Sequence, residues 1–94
     1  MKLTINEITQ AVKGKLSDDG FGNQNVTSVE FDTRKVTDGS LFVPLKGNRD
    51  GHDFIANAFE SGAVVTFSDR ELKEERPYIL VADLTVKEMV VILD

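Results

Sequence analysis

The sequence predicts an α/β domain with a small mixed, partly parallel sheet of about four to five strands and two to three packed helices. Its 94 residues suit one hydrophobic core. Between residues 27 and 81, short apolar runs of strand type alternate with a helical pattern and a charged connector. This alternation is typical of parallel strands joined by crossovers. A capped, amphipathic helix precedes them.

The first helix is predicted to begin at Thr4. Thr4 and Glu7 have the spacing of a capping box, in which each side chain bonds the other residue's backbone N–H. Gly14 is predicted to end the helix in a left-handed conformation. The apolar residues that share one face of this helix are Ile5, Ile8 and Val12.

Three further elements follow a turn-rich loop at residues 17–25. Residues 27–31 alternate as a strand, with Val29 and Phe31 on one face. Residues 40–45 are apolar at almost every position, which indicates a strand buried on both faces, with Pro44 at its end or near an edge. Residues 53–61 have a helical apolar stripe, and Gly62 is predicted to end that helix.

The last part of the chain is predicted to contain two more strands and the start of a helix. The strands are residues 63–67 and 78–81, joined by a charged connector. Thr85 and Glu88 repeat the capping-box spacing and open an apolar run at residues 86–93. Two interpretations remain open for this run: a linking helix toward a further domain of a longer protein, or a terminal helix docked on the sheet.

Composition excludes several classes of function. The net charge of −5 and pI near 4.8 argue against a general nucleic-acid or anionic-membrane binder. There is no cysteine, which excludes disulfides and permits a cytoplasmic location. No apolar stretch reaches the ~18 residues that a membrane span needs.

Polar turns flank the strand at residues 40–45, and they carry most of the chemical information. The first turn is residues 32–35 and the second is residues 46–53. If neighbouring strands bring both turns to one edge of the sheet, their basic side chains and backbone N–H groups can bind an anion. The basic residues are Arg34, Lys35, Lys46 and Arg49.

Structural roles are the alternative for these residues. Asp32 and Thr33 can close a strand by bonding nearby backbone, and Arg34 can pair with a surface carboxylate. His52 is predicted to cap the helix that starts at Asp53, with ligand contact as the second interpretation. The sequence contains no nucleophile motif, metal-ligand cluster or Gly-x-x-x-x-Gly-Lys-Ser/Thr phosphate loop. We therefore expect that this chain alone hydrolyses no ATP and forms no amide bond.

Four segments resemble the amino-terminal domain of the Mur ligases of peptidoglycan synthesis. They are DTRK at 32–35, DGSLFVPLKG at 38–47, DGHDFI at 50–55 and AFESGA at 58–63. Their order and spacing are most similar to the members that add D-alanyl-D-alanine, with the members that add the third peptide residue as near relatives. The resemblance implies the fold of that amino-terminal domain.

The resemblance also implies a function for the chain within a larger enzyme. Residues 1–83 would hold the UDP part of UDP-N-acetylmuramoyl-tripeptide, and residues 84–94 would start a linking helix toward an ATP-binding domain. In such cytoplasmic ligases ATP, with Mg²⁺, phosphorylates the peptide carboxylate, and an amine then attacks the acyl phosphate. The partners implied are the UDP-N-acetylmuramoyl-peptide and the central and carboxy-terminal domains of the same chain, whereas the fragment itself is not catalytic.

Carried onto this sequence, the resemblance assigns six substrate-binding residues. Thr33, where many relatives have serine, would contact the diphosphate, and Arg34 and Lys35 would border the nucleotide. The uracil side would be lined by Gly47, Asn48 and Arg49. The hypothesis from another class is a noncatalytic anion-binding or protein-interaction module that uses the same loops.

Overall fold

The computed structural model describes residues 3–45 and 51–82. Its strands are β1 (Leu3–Thr4), β2 (Lys15–Leu16), β3 (Asn25–Val26), β4 (Ser28–Glu30), β5 (Ser40–Phe42), β6 (Val65–Ser68) and β7 (Tyr78–Leu80), and its helices are α1 (Ile5–Ala11) and α2 (Ile55–Glu60). Short 3₁₀ helices lie at Asp19–Phe21, Thr33–Lys35 and Gly51–Phe54. The predicted helix after residue 84 and most of the second polar turn, residues 46–50, lie outside the described residues.

The main sheet has five strands in the order β2-β7-β6-β5-β4. Strands β4, β5, β6 and β7 are parallel, and β2 pairs with β7 in the antiparallel direction. The short strands β1 and β3 form a separate antiparallel pair. The predicted mixed, partly parallel sheet with packed helices is therefore confirmed.

Two clusters of buried side chains cover the two faces of this sheet. Leu41 of β5 belongs to the cluster that contains Ile5 and Ile8 of α1, whereas its neighbour Phe42 belongs to the cluster that contains Ile55 and Phe59 of α2. Because successive strand residues point to opposite faces, α1 and α2 pack on opposite sides of β5. The burial of this strand on both faces is confirmed, although the ladder is shorter than the predicted residues 40–45.

The start of α1 follows the capping-box prediction. Thr4 Oγ1 accepts a hydrogen bond from the Glu7 N–H at 3.2 Å, and Glu7 Oε1 accepts one from the Thr4 N–H at 2.9 Å. These two bonds satisfy backbone donors that have no partner within the first turn of a helix.

The prediction for Gly14 is wrong. The residue with positive φ after α1 is Lys13, at 55°. Gly14 instead lies against β7, where a Cβ atom would be 2.6 Å from Ile79 Cγ2 and 2.9 Å from the Leu80 carbonyl oxygen. A glycine is needed here because the two backbones approach closely, which the local sequence pattern does not reveal.

The end of α2 is confirmed and its start is corrected. Gly62 has a φ of 118°, a conformation that favours glycine. The helix begins at Ile55 rather than Asp53, since residues 51–54 form a 3₁₀ helix. Strand β4 is also shorter than predicted, because Phe31 leaves the ladder and is 41% exposed. None of the described helices is long and apolar enough to cross a membrane.

Candidate anion-binding site

The carboxyl ends of four parallel strands meet at one edge of the sheet. Glu30 at the end of β4 pairs with Phe42 at the end of β5, so the segments that leave these strands start side by side. The segment after β6 begins at the same edge, because β6 is parallel to β5. Ligands of open α/β sheets bind outside this edge.

Residues 32–35 form a tight turn at the end of β4. Asp32 Oδ1 accepts a hydrogen bond from the Arg34 N–H at 2.9 Å, and the Asp32 carbonyl oxygen accepts one from the Lys35 N–H at 2.9 Å. The second bond closes the 3₁₀ helix of Thr33–Lys35. Asp32 therefore has the strand-closing role that its residue type favours.

The same carboxylate also holds the guanidinium of Arg34. Arg34 Nη2 lies 2.7 Å from Asp32 Oδ2, and Arg34 Nε lies 3.1 Å from both carboxylate oxygens. The hydrogen bonds from Arg34 lower the pKa of Asp32 to about 2, and Asp32 raises the pKa of Arg34. The Arg34 side chain stays 87% exposed, so it remains accessible to a ligand.

A groove of about 320 Å³ opens beside this turn. It is lined by Asp32, Thr33, Arg34, Phe42 and Phe54. Thr33 is partly buried, and its hydroxyl has no hydrogen-bond partner among residues 3–45 and 51–82. Phe42 is only 2% exposed, so its ring closes the bottom of the groove as part of the core, whereas Phe54 is partly buried. The groove thus combines the Thr33 hydroxyl and the Arg34 guanidinium with an apolar wall, which suits a ligand that carries an anionic group and an apolar group.

The six predicted site residues differ in whether they line the groove and whether the structure describes them. Thr33 and Arg34 line the groove together, whereas Lys35 is exposed and does not line it. Gly47, Asn48 and Arg49 lie outside the described residues. Sequence reasoning missed Phe42 and Phe54 as groove residues because their apolar character and spacing indicate core packing equally well.

His52 lies at the same edge but does not cap α2. The capping position of that helix is Phe54, which makes no side-chain cap bond. The His52 side chain is 7% exposed, and its Nε2 atom lies 3.1 Å from Ser68 Oγ and 3.3 Å from Asp69 Oδ1. Since both groups approach the same ring nitrogen, they do not form a relay through the two nitrogens of the imidazole. His52 therefore joins the turn before α2 to the end of β6.

A basic residue that the sequence did not single out is held beside this histidine. Arg70 Nε donates a hydrogen bond to Asp69 Oδ1 at 2.8 Å. The sequence places Arg70 after a predicted strand, but only the strand order brings it to the same edge of the sheet as the turn at residues 32–35. Within the described parts of the chain, no three histidine, aspartate or glutamate side chains are grouped to hold a metal ion.

Comparison with known proteins identifies a family. The model of the Mur ligase family, catalytic domain, matches residues 25–93. The chain is 39% identical, over 88% of its length, to a UDP-N-acetylmuramoyl-tripeptide–D-alanyl-D-alanine ligase of Bacillus subtilis. It is 45% identical, over 65% of its length, to a UDP-N-acetylmuramoyl-L-alanyl-D-glutamate–2,6-diaminopimelate ligase of Bacillus velezensis.

Solved structures give the same result. A crystal structure of MurF from Acinetobacter baumannii superposes with a TM-score of 0.81 and 27% sequence identity over 89% of this chain. The chain spans 19% of the Bacillus subtilis relative, 13% of the Bacillus velezensis relative and 19% of the MurF chain. The family match covers residues that include the turn at 32–35 and the walls of the groove. The resemblance inferred from the sequence is confirmed, and the chain belongs to the Mur ligase family.

Proposed function

We propose that this chain is the domain that anchors the UDP part of UDP-N-acetylmuramoyl-tripeptide in an ATP-dependent ligase that adds D-alanyl-D-alanine. The observation that carries the proposal is the groove at the carboxyl edge of the sheet, which both Thr33 and Arg34 line. The name of the Bacillus subtilis relative supports the D-alanyl-D-alanine assignment.

In this proposal the groove binds the diphosphate through charge-assisted hydrogen bonds. The Thr33 hydroxyl and the Arg34 guanidinium donate to phosphate oxygens, and Lys35 adds positive charge at the border of the nucleotide. Gly47, Asn48 and Arg49 line the uracil side. We make this last assignment from the family resemblance alone.

Catalysis belongs to the rest of the ligase. We assign ATP and Mg²⁺ to the central and carboxy-terminal domains, because this sequence has no Gly-x-x-x-x-Gly-Lys-Ser/Thr phosphate loop. Residues 1–83 form the substrate-binding domain, residues 84–94 begin the link to the next domain, and the enzyme acts in the cytoplasm. In this proposal the chain binds the substrate and orients the peptide carboxylate of the substrate toward the transferred phosphoryl group.

A second candidate is the related ligase that adds the third peptide residue. The 45% identity to the Bacillus velezensis diaminopimelate ligase favours it, although that similarity covers a shorter part of the chain. Both candidates hold a UDP-linked muramoyl peptide, so they make the same prediction for the groove. Assays of the complete ligase with each incoming amine would separate them.

The test is the affinity of this chain for UDP. Thr33→Val and Arg34→Ala should each weaken binding, since removing a hydrogen bond to a charged group costs roughly 1.5 to 3 kcal/mol, or about tenfold to over a hundredfold. Calorimetry on the folded variants measures the loss. Thr33→Val keeps the shape of the side chain and removes its hydroxyl, so it isolates one hydrogen bond.

The control is Lys73→Ala, which removes an exposed cation outside the groove and should change the affinity little. Chemical shifts perturbed by UDP should cluster at Thr33, Arg34 and Asn48. If UDP binds the parent but both groove variants bind it equally well, the assignment of this turn to the diphosphate is wrong. If the parent binds no UDP, the alternative of a noncatalytic interaction module is favoured.

A further inference from the structure

We propose that Asp32 is a positioning residue, which fixes the guanidinium of Arg34 so that its outer edge faces a bound phosphate group. This inference rests on the proposed function of the groove. It assigns a role in anion binding to a carboxylate, a group that would repel a phosphate if charge alone mattered.

The geometry fixes Arg34 at its backbone and at its side chain. Asp32 Oδ1 accepts hydrogen bonds from the Arg34 N–H at 2.9 Å and from Nε at 3.1 Å, while Oδ2 accepts one from Nη2 at 2.7 Å. The carboxylate thus occupies the edge of the guanidinium formed by Nε and Nη2. A guanidinium has five N–H donors, so the edge formed by Nη1 and the second N–H of Nη2 stays available for an oxyanion.

Stability does not account for this arrangement. The Arg34 side chain is 87% exposed and that of Asp32 is 33% exposed, and ion pairs at such positions stabilise a fold little. The turn itself needs no arginine either. Asp18 makes the same type of cap, since its Oδ1 accepts the Gly20 N–H at 2.9 Å, and glycine rather than arginine occupies the second position after it.

The consequence for binding is a smaller loss of side-chain freedom. An exposed arginine with a free side chain must be ordered when it binds a phosphate, and that ordering weakens affinity by about two- to tenfold. Asp32 orders the side chain beforehand. The Asp32 carboxylate also lines the groove, but it is paired with the guanidinium and its side chain is 33% exposed, so water and salt screen its repulsion of the ligand.

Asp32→Asn separates the two roles of Asp32, which are to close the turn and to order the Arg34 side chain. An asparagine side-chain oxygen still accepts the Arg34 N–H and so preserves the turn. It removes the negative charge that holds the guanidinium. Asp18→Asn is the matched control, because it removes the same charge from the same kind of capped turn outside the groove.

We expect Asp32→Asn to weaken UDP binding by about two- to tenfold, the loss that follows from a disordered arginine. Asp18→Asn should leave the affinity unchanged, and both variants should stay folded, with at most a small decrease in the melting midpoint of Asp32→Asn because its exposed ion pair is lost. Uridine, which lacks the diphosphate, should bind the parent and Asp32→Asn equally. A parent that binds UDP while Asp32→Asn binds it equally well or more tightly would overturn the inference and leave the proposed function in place. A parent that binds no UDP would overturn both.

A second measurement needs no substitution. Nitrogen relaxation of the Arg34 Nε–H group in the ligand-free parent should report a side chain as ordered as the backbone of the turn. Fast averaging of that signal, as in a freely exposed arginine, would also overturn the inference. This readout reports the order of the side chain directly, so it does not depend on how the variants fold.

Discussion

Arg34 changes the titration of the carboxylate beside it. Its side-chain and backbone hydrogen bonds lower the pKa of Asp32 from 3.8 to about 2. The pKa of Asp32 is lower in the folded protein than in the unfolded chain, so the interaction with Arg34 stabilises the folded state. This stabilisation is fully present above pH 3.8 and is lost as the pH falls through about 2. We therefore expect the carboxyl carbon of Asp32 to titrate in the folded protein with a midpoint near 2.

Two variants identify the cause of that shift. Arg34→Ala should return the midpoint toward 3.8, because it removes the side-chain hydrogen bonds that contribute most. Lys35→Ala should move it less, because Lys35 acts through charge alone and contributes least. An Asp32 midpoint that stays the same in Arg34→Ala would show that the two side chains are not paired in solution. NMR titration of each variant measures these values.

The candidate site could be predicted in part from single residues. Thr33 and Arg34 are predicted as binding residues from residue type and family resemblance, and both line one groove, while their contact with a ligand stays a prediction. The pairing of Arg34 with its neighbour Asp32 agrees with the structural alternative for this turn. The role of His52 was missed, because its partners Ser68 and Asp69 are far along the chain and no local pattern connects them.

At the scale of one element, the end of α2 depends on Gly62. This residue has a φ of 118°, and a Cβ atom there would lie 2.5 Å from Asp38 Oδ1 and 2.9 Å from the Asp38 backbone nitrogen. Gly62→Val should therefore destabilise the protein through backbone strain and through this clash. We expect a loss of about 1–2 kcal/mol or more in the free energy of unfolding, measured by denaturant titration.

Ser61→Val is the matched control for this substitution. Ser61 is exposed at the preceding position and has a φ of −85°, which a β-branched residue can adopt. It should change the unfolding free energy much less than Gly62→Val. Equal effects at both positions would indicate that the loss comes from the β-branched side chain and not from the positive φ.

The two predicted helix ends show why such elements are only partly predictable. Both α1 and α2 are followed by a glycine, and the local sequence predicts that each glycine ends its helix in a left-handed conformation. This prediction is correct for Gly62. It is wrong for Gly14, where a glycine is required because atoms of Ile79 and Leu80 lie close to the position that a Cβ atom would occupy. A contact between residues so distant in sequence is set by strand order, which periodicity does not encode.

At the scale of the whole molecule, the layer structure was predictable and the strand order was not. Alternating strand and helix patterns predicted a partly parallel sheet, because parallel strands need crossovers. The antiparallel edge strand β2 has two residues, too few for any periodicity, and its place beside β7 follows from pairing across the fold. The parallel pairing of β4, β5 and β6 likewise determines which loops lie at the edge that contains the groove.

The charge of the whole chain opposes the binding that we propose. The net charge is −5, so a distant anion is repelled, whereas Arg34 and Lys35 attract it locally. Two unit charges about 4 Å apart in water interact by about 1 kcal/mol. The Debye length is about 10 Å at 0.1 M salt, so the repulsion from the rest of the chain is screened more strongly than the contacts in the groove.

We therefore expect added salt to weaken UDP binding. Raising the salt from about 0.1 M to about 1 M shortens the Debye length to about 3 Å, which screens the exposed part of the local attraction as well. Calorimetry should show a several-fold loss of affinity, and uridine binding should be insensitive to salt because uridine carries no charge. Tighter UDP binding at high salt would mean that the net charge of −5 governs binding and that the cations of the turn do not contact the ligand.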